Sequence, residues 1–334
     1  MNREQFDGWV PIDIYASGSR PLVEWCFVGN RRFTEPFFSK TIEDCIQHPF
    51  NLLFRHQTPI ETLREWSELQ PGLDPSGFIF HSSRCGSTLI SQMLAELPRN
   101  VVISEARPID AVLRAHLRDK SITDPKRIEW LRWLVSAIGQ KRSGVEEHLF
   151  IKFDSWNVVE LKLIKQAFPA VPWVFVYREP FDVLVSHLTR YRGLHMIPGA
   201  IDPELFALDS NQVTQIEPEE YCAQVLGQIY RAGAEGSDQT NGLLVHYHEL
   251  PGAVTSRIAE HFRLNLTERE CDRLAARSQF DAKNPTIRFV NEAATTNRRV
   301  SDQVRVMAER WVVPWYEQLQ ARRMGRLGNQ LHFE

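Results

Sequence analysis

Two loops and one lone carboxylate in this 334-residue chain have the residue types and spacing needed to handle anions. The first loop is His81-Ser82-Ser83-Arg84-Cys85-Gly86-Ser87-Thr88, between the apolar run Gly77–Phe80 and the segment Leu89–Leu97. Leu89, Met93 and Leu97 recur every fourth residue, as on one face of a helix, so the pattern predicts strand, loop, helix. A helix start presents unpaired N–H groups and a partial positive charge, which together favour an anion. Gly86 permits close backbone approach, Ser87 and Thr88 add hydroxyl donors, and Arg84 adds a fixed charge. A capped helix start beside an incidental arginine is the plainer alternative.

The second loop follows the run Trp173–Tyr177, the most strand-like in the chain. Arg178 ends that run, Ser186 lies eight residues later, and Arg190 four beyond that on the same expected helix face. One strand-end arginine, a hydroxyl and a further arginine form a set that can hold a second phosphate. The carboxylate is Glu105, directly after the run Val101–Ser104. At the same sheet edge as the first loop, it is the leading candidate for a general base. An ion pair with Arg107 is the competing reading. Lys152 ends the run Leu149–Lys152 and reads equally as a site residue or as a structural ion-pair partner. His187 and His195 rank below Glu105 as bases, and His246 with His248 would need further ligands to hold a metal.

The elements that must position these groups follow from the same pattern. Short apolar runs at 77–80, 101–104, 149–152, 173–177 and 243–247 alternate with helical segments. These include 109–116, 128–138, 158–168, the stretch from Pro180 and 253–262. That alternation predicts an α/β fold: a parallel sheet of about five strands covered by helices on both faces, a P-loop-like three-layer sandwich. Open sheets of this kind bind ligands at the carboxyl ends of their strands. Residues 1–70 read as a cover packed on a main domain spanning 71–334, with a strand in Pro21–Gly29, a turn at Ala16–Ser19 and a helix near Thr41–His48. The stretch Gly193–Glu220 carries Pro198, Pro203 and Pro218 and reads as a long irregular lid.

Composition narrows the function classes. A formal net charge of -3 is unlike that of a nucleic-acid or polybasic membrane binder, so any anion site is local. No run of about 18 apolar residues occurs, and the first residues have no apolar signal-peptide core. Five scattered cysteines without a CxxC pair argue for reduced thiols in a cytoplasmic setting, and against zinc.

Taken together, the two loops resemble the nucleotide signatures of the PAPS-dependent sulfotransferases, which use 3′-phosphoadenosine 5′-phosphosulfate. Arg84-Cys85-Gly86-Ser87-Thr88 resembles their 5′-phosphosulfate loop, with Ser83 and Cys85 where proline and serine are usual. Arg178-Glu179-Pro180-x-Asp182-x-x-x-Ser186 resembles their 3′-phosphate signature. Weaker similarity runs through residues 77–320 and includes Lys152 and the segment VHYHELPG.

The resemblance implies that Arg84, Cys85, Gly86, Ser87 and Thr88 hold the 5′-phosphosulfate, while Arg178, Ser186 and Arg190 hold the 3′-phosphate. It implies that Arg84 stabilises the departing phosphate, that Glu105 is the base, that Lys152 on the third strand belongs to the similar region, and that Arg298 or Arg299 closes over the nucleotide. It further implies a small-molecule acceptor sulfated on a hydroxyl or amine, with no metal required. Two other readings compete. A kinase on a related P-loop fold would need a lysine where Ser87 stands, and an acidic metal ligand where the strand ends in Arg178. A non-catalytic nucleotide binder would tolerate loss of Glu105.

Overall fold

The computed structural model describes residues 6–15, 20–237, 241–289 and 302–330. Two sheets are present. The first is antiparallel, in the order β1 (Trp9–Tyr15), β2 (Leu22–Phe27) and β3 (His56–Pro59). The second is built from β4 (Pro75–His81), β5 (Asn100–Ser104), β6 (His148–Lys152), β7 (Trp173–Tyr177) and β8 (Gly242–His246). Its order is β5-β6-β4-β7-β8 and every pairing is parallel.

The parallel strands read as continuous apolar runs because both of their faces are covered. Side chains alternate across the sheet. Phe78 and Phe80 of β4 enter one core with Phe175 and Tyr177, under the helices Arg107–Leu113, Asp124–Ile138 and Pro218–Gly236. Ile79, between them, enters a second core with Val102, Phe150 and Val174. Ile90, Met93 and Leu94 of the helix Ser87–Ala95 cover that face. The molecule is therefore layered helix, sheet, helix.

From the central strand β4 the chain crosses to β5 and returns through β6, then passes to the other side as β7 and β8. The reversal opens a crevice at the carboxyl end of β4, where open α/β sheets bind ligands. Strand β1 packs on the helices Arg107–Leu113 and Asp124–Ile138, and Phe6, Val23, Trp25 and Trp66 join the first of the two cores.

Several local expectations need correction. Residues 155–160 form a 3₁₀ turn before the helix Leu161–Ala167, because Asp154 and Asn157 cap it reciprocally. The segment 253–262 is a π turn, Val254–Ile258, followed by the short helix Ala259–His261. The stretch after Gly193 holds three 3₁₀ turns and ends where the long helix Pro218–Gly236 begins, with Pro218 at its first turn. That helix packs against Asp302–Trp311 and Val313–Gln330. The turn expected at Ala16–Ser19 lies outside the described residues. No helix among the described residues is long and apolar enough to cross a membrane.

Candidate active site

A cavity of about 680 Å³ opens at the crevice. The loop after β4 forms one wall. Ser83, Arg84 and Gly86 all have positive φ, at 67°, 51° and 84°. Gly86 is the N-cap of the helix Ser87–Ala95. A Cβ there would lie 2.7 Å from Leu250 Cδ1 and 3.3 Å from Tyr247 Cδ2, so only glycine fits both the dihedral and the space. Ser87 and Thr88 begin the helix, and both line the cavity with Arg84 and Cys85. The Cys85 side chain turns inward and its thiol donates to Val176 O at 3.1 Å. Burial pushes that thiol above its ordinary value, so Cys85 contributes to the loop through its backbone.

The strained loop is held by a chain of hydrogen bonds. Ser83 N–H donates to His81 Nδ1 at 3.1 Å, which leaves the His81 proton on Nε2, 3.1 Å from Phe153 O. Gly193 N–H donates to His187 Nδ1 at 3.2 Å, so His187 Nε2 donates to Ser83 Oγ at 3.1 Å. Burial pushes His187 down to about 3, with Arg84 and Lys283 acting in the same direction. Arg84 Nη2 donates to Tyr191 O at 2.6 Å. Burial lowers the Arg84 guanidinium from its usual value, and Arg190 adds to that effect while Tyr191 opposes it.

The second loop forms the opposite wall with relaxed geometry. Arg178 follows β7, and its Nε and Nη2 donate to Asp182 at 3.1 and 2.8 Å. Its guanidinium lies 4.4 Å from the centre of the Tyr247 ring. An arginine has five N–H donors, so Asp182 orients the fork and leaves others for a ligand. Ser186 sits in the helix Pro180–Thr189 and lines the cavity with Arg178 and Arg190. Arg190 is not on that helix face as its spacing predicts: φ -115° and ψ -93° turn the chain out of the helix at this residue, yet it still reaches the cavity wall.

Glu105 follows β5 with φ 54°, another positive-φ residue that is not glycine. Such conformations cluster at functional sites. Its carboxylate accepts from Lys152 Nζ and lies 3.5 Å from His81 Nε2. Arg107 turns away and pairs with Asp13 at 3.0 Å. Burial alone would raise the Glu105 carboxyl, but the Lys152 charge and His81 override it and hold the group well below the usual carboxylate range. Lys152 is wholly buried, 5.4 Å over the Phe37 ring, and is not among the cavity-lining residues; it touches the cavity-lining Glu105 instead.

Sequence reasoning missed several wall residues. Asp154 lies two residues beyond Lys152, and burial with the neighbouring Glu105 and Asp110 raises its carboxyl well above the usual range. Its place just past a strand end was a signal that went unread. Lys283 and Phe280 come from the segment after the helix Glu268–Arg277, and Phe37 from before the helix Phe38–Ile46. Neither segment has a readable motif. His195 lines the cavity and packs its ring 5.3 Å from His187. His246 accepts from His248 N–H at 3.3 Å, and burial brings it down to about 4. No group of three metal-ligating side chains occurs among the described residues. Arg298 and Arg299 lie outside the described residues.

No family model and no curated protein matches the chain. Solved structures with a similar chain course include a sulfotransferase domain from a Synechococcus olefin synthase (16% identity, 72% of this chain and 94% of that one, TM-score 0.37). A sulfotransferase from Mycobacterium avium is similar at 15% identity over 70% and 77%, with TM-score 0.42. Retinol dehydratase, in complex with retinol and PAP, is similar at 14% identity over 80% and 87%, with TM-score 0.33. Likenesses this distant carry no weight for function, which rests on the residues of the cavity.

Proposed function

We propose that this protein is a sulfotransferase that moves a sulfuryl group from PAPS to a hydroxyl or amine of a small-molecule acceptor. The observation that carries the reading is that two separate cation sets face one cavity. Arg84 with Gly86, Ser87 and Thr88 forms one, and Arg178 with Ser186 and Arg190 the other. A donor with a phosphosulfate at one end and a phosphate at the other matches that division. The fit is supported at Gly86, where the absence of a Cβ and the start of a nine-residue helix leave backbone N–H groups open to an anion.

The chemistry assigned to the chain follows. The acceptor lone pair attacks sulfur, the sulfur–oxygen bond to the 5′-phosphate breaks, and the acceptor proton leaves to a base. Arg84 neutralises charge growing on the departing phosphate oxygen, the effect expected to contribute most. Glu105 takes the proton. Lys152 and His81 keep Glu105 ionised and aimed, so it stands as a carboxylate at any ordinary pH, and the same pairing lowers its intrinsic basicity. Arg178, Ser186 and Arg190 anchor the 3′-phosphate and fix the register of the donor. No step requires a metal.

The test uses sulfuryl-labelled PAPS and a small-molecule extract. Wild type moves label into an organic product, and Glu105→Gln slows that by about 10²–10⁴. Glu105→Gln also leaves Lys152 as a buried unpaired charge, a loss of about 3–5 kcal/mol of stability. The double variant Glu105→Gln/Lys152→Met recovers stability without recovering activity. Transfer of a γ-phosphoryl label from labelled ATP in a parallel assay, with magnesium required and no transfer from PAPS, would move the protein to the kinase reading. Full activity in Glu105→Gln would remove the base from the account.

A further inference from the structure

Lys283 is a cation that neither phosphate set uses. It lies on a turn held by Asp281, whose carboxylate accepts from the N–H groups of Lys283 and Asn284 at 2.8 Å each. This turn brings the lysine to the cavity wall, with Ser278, Phe280 and Asp281 beside it. Its Nζ is 5.7 Å from the centre of the Phe37 ring, and Lys152 Nζ is 5.4 Å from the same centre. Among the described residues no carboxylate lies within ion-pair distance of Lys283 Nζ, although Glu105 and Asp281 are both near.

The surroundings of Lys283 locate it within the cavity. It lines the cavity with Arg84 and Glu105 and faces the same Phe37 ring as Lys152, the partner of Glu105; burial and then Arg84 lower its ammonium, while Glu105 opposes them. Lys283 thus shares one set of cavity-wall residues with the guanidinium assigned to the leaving phosphate and the carboxylate assigned to the acceptor proton, and the proposed reaction puts the transferred group in the interval between those two. The group that occupies that interval in the proposed reaction is the sulfuryl itself. Its three non-bridging oxygens carry negative charge throughout transfer, and neither Arg84 nor Glu105 is assigned to them. An ammonium with free donors, 5.7 Å from the centre of an aromatic ring, suits that position.

We propose that Lys283 is a catalytic cation that holds the non-bridging sulfuryl oxygens between Arg84 and Glu105. This rests on the sulfotransferase reading, and the experiment separates the two. It measures calorimetric affinity for PAPS and for adenosine 3′,5′-bisphosphate, which lacks the sulfuryl, on the full chain. It also measures acceptor-free turnover of PAPS and water to bisphosphate, sulfate and a proton. Lys283→Met is expected to leave bisphosphate affinity within about twofold, to weaken PAPS binding more than tenfold, and to slow turnover by about a hundredfold. Lys283→Arg, which keeps the charge, recovers most of both losses. Equal weakening of the two nucleotides in Lys283→Met would make it a phosphate ligand and overturn the proposal. So would unchanged PAPS affinity and turnover. If wild type binds neither nucleotide, the sulfotransferase reading falls and takes this proposal with it.

Discussion

The two loops assigned to the phosphates differ most in backbone strain. After β4, Ser83 and Arg84 hold φ 67° and 51°, and Glu105 joins them at 54° from the neighbouring loop. After β7, Arg178 enters an ordinary helix with Pro180 in its first turn. Non-glycine residues in the left-handed region cost about 1–2 kcal/mol each, so the first loop persists only because other contacts over-determine it. Those contacts are the His81, His187 and Tyr191 hydrogen bonds. The strained loop is the one assigned to the bond that breaks, and the relaxed loop the one assigned to anchoring. Preorganisation costs stability where charge develops, and is unnecessary where a phosphate is only held.

Three perturbations would break or sharpen this contrast. The largest concerns Arg84. Arg84→Ala should lower turnover by about 10²–10³ while changing bisphosphate affinity by less than tenfold. Steady-state rates and calorimetry on one preparation decide it, and equal loss in both would erase the division between loops. Next comes Gly86. Gly86→Ala places a Cβ against Leu250 at a positive φ, and the melt should report a loss of about 1–3 kcal/mol. An equivalent alanine at Ser186, on the relaxed side, should cost less than about 0.5 kcal/mol of stability.

The third perturbation is pH. His187 is held down to about 3, while an unfolded histidine titrates near 6.5. The folded state then binds fewer protons than the unfolded one in that window, so stability is full above about pH 6.5 and falls toward pH 3. Each unit costs about 1.4 kcal/mol at most. His187→Gln should flatten the decline of the melting temperature between pH 7 and 5. An unchanged slope would show that His187 does not titrate with unfolding.

The legible part of the molecule was the part where one signal sufficed. The five parallel strands are apolar runs buried on both faces, and Arg84, Glu105 and Arg178 sit at three of their ends, so fold and wall could be read together. The antiparallel sheet was harder. Pro11 interrupts β1, and β3 is four residues of mainly polar chain, so only β2 stood out. The helix Pro218–Gly236 buries Tyr221, Val225, Leu226 and Ile229 at helical spacing, yet the prolines before it masked its start. Lys283 and Phe37 reach the cavity only through tertiary packing of segments without a local pattern. Lys152 was legible as an ion-pair partner but its mate was not, and Glu105 was matched to Arg107 instead, because two strand ends become neighbours only once β5 pairs with β6.

The central claim is that one cavity binds both ends of a single nucleotide. The direct measurement is calorimetric titration of the protein with adenosine 3′,5′-bisphosphate, without metal, beside Arg178→Ala and beside magnesium-ATP. The account predicts tight metal-free binding that Arg178→Ala weakens by well over tenfold, as loss of a charge-assisted contact of about 1.5–3 kcal/mol requires. Preference for magnesium-ATP, or binding that Arg178→Ala leaves unchanged, would contradict it.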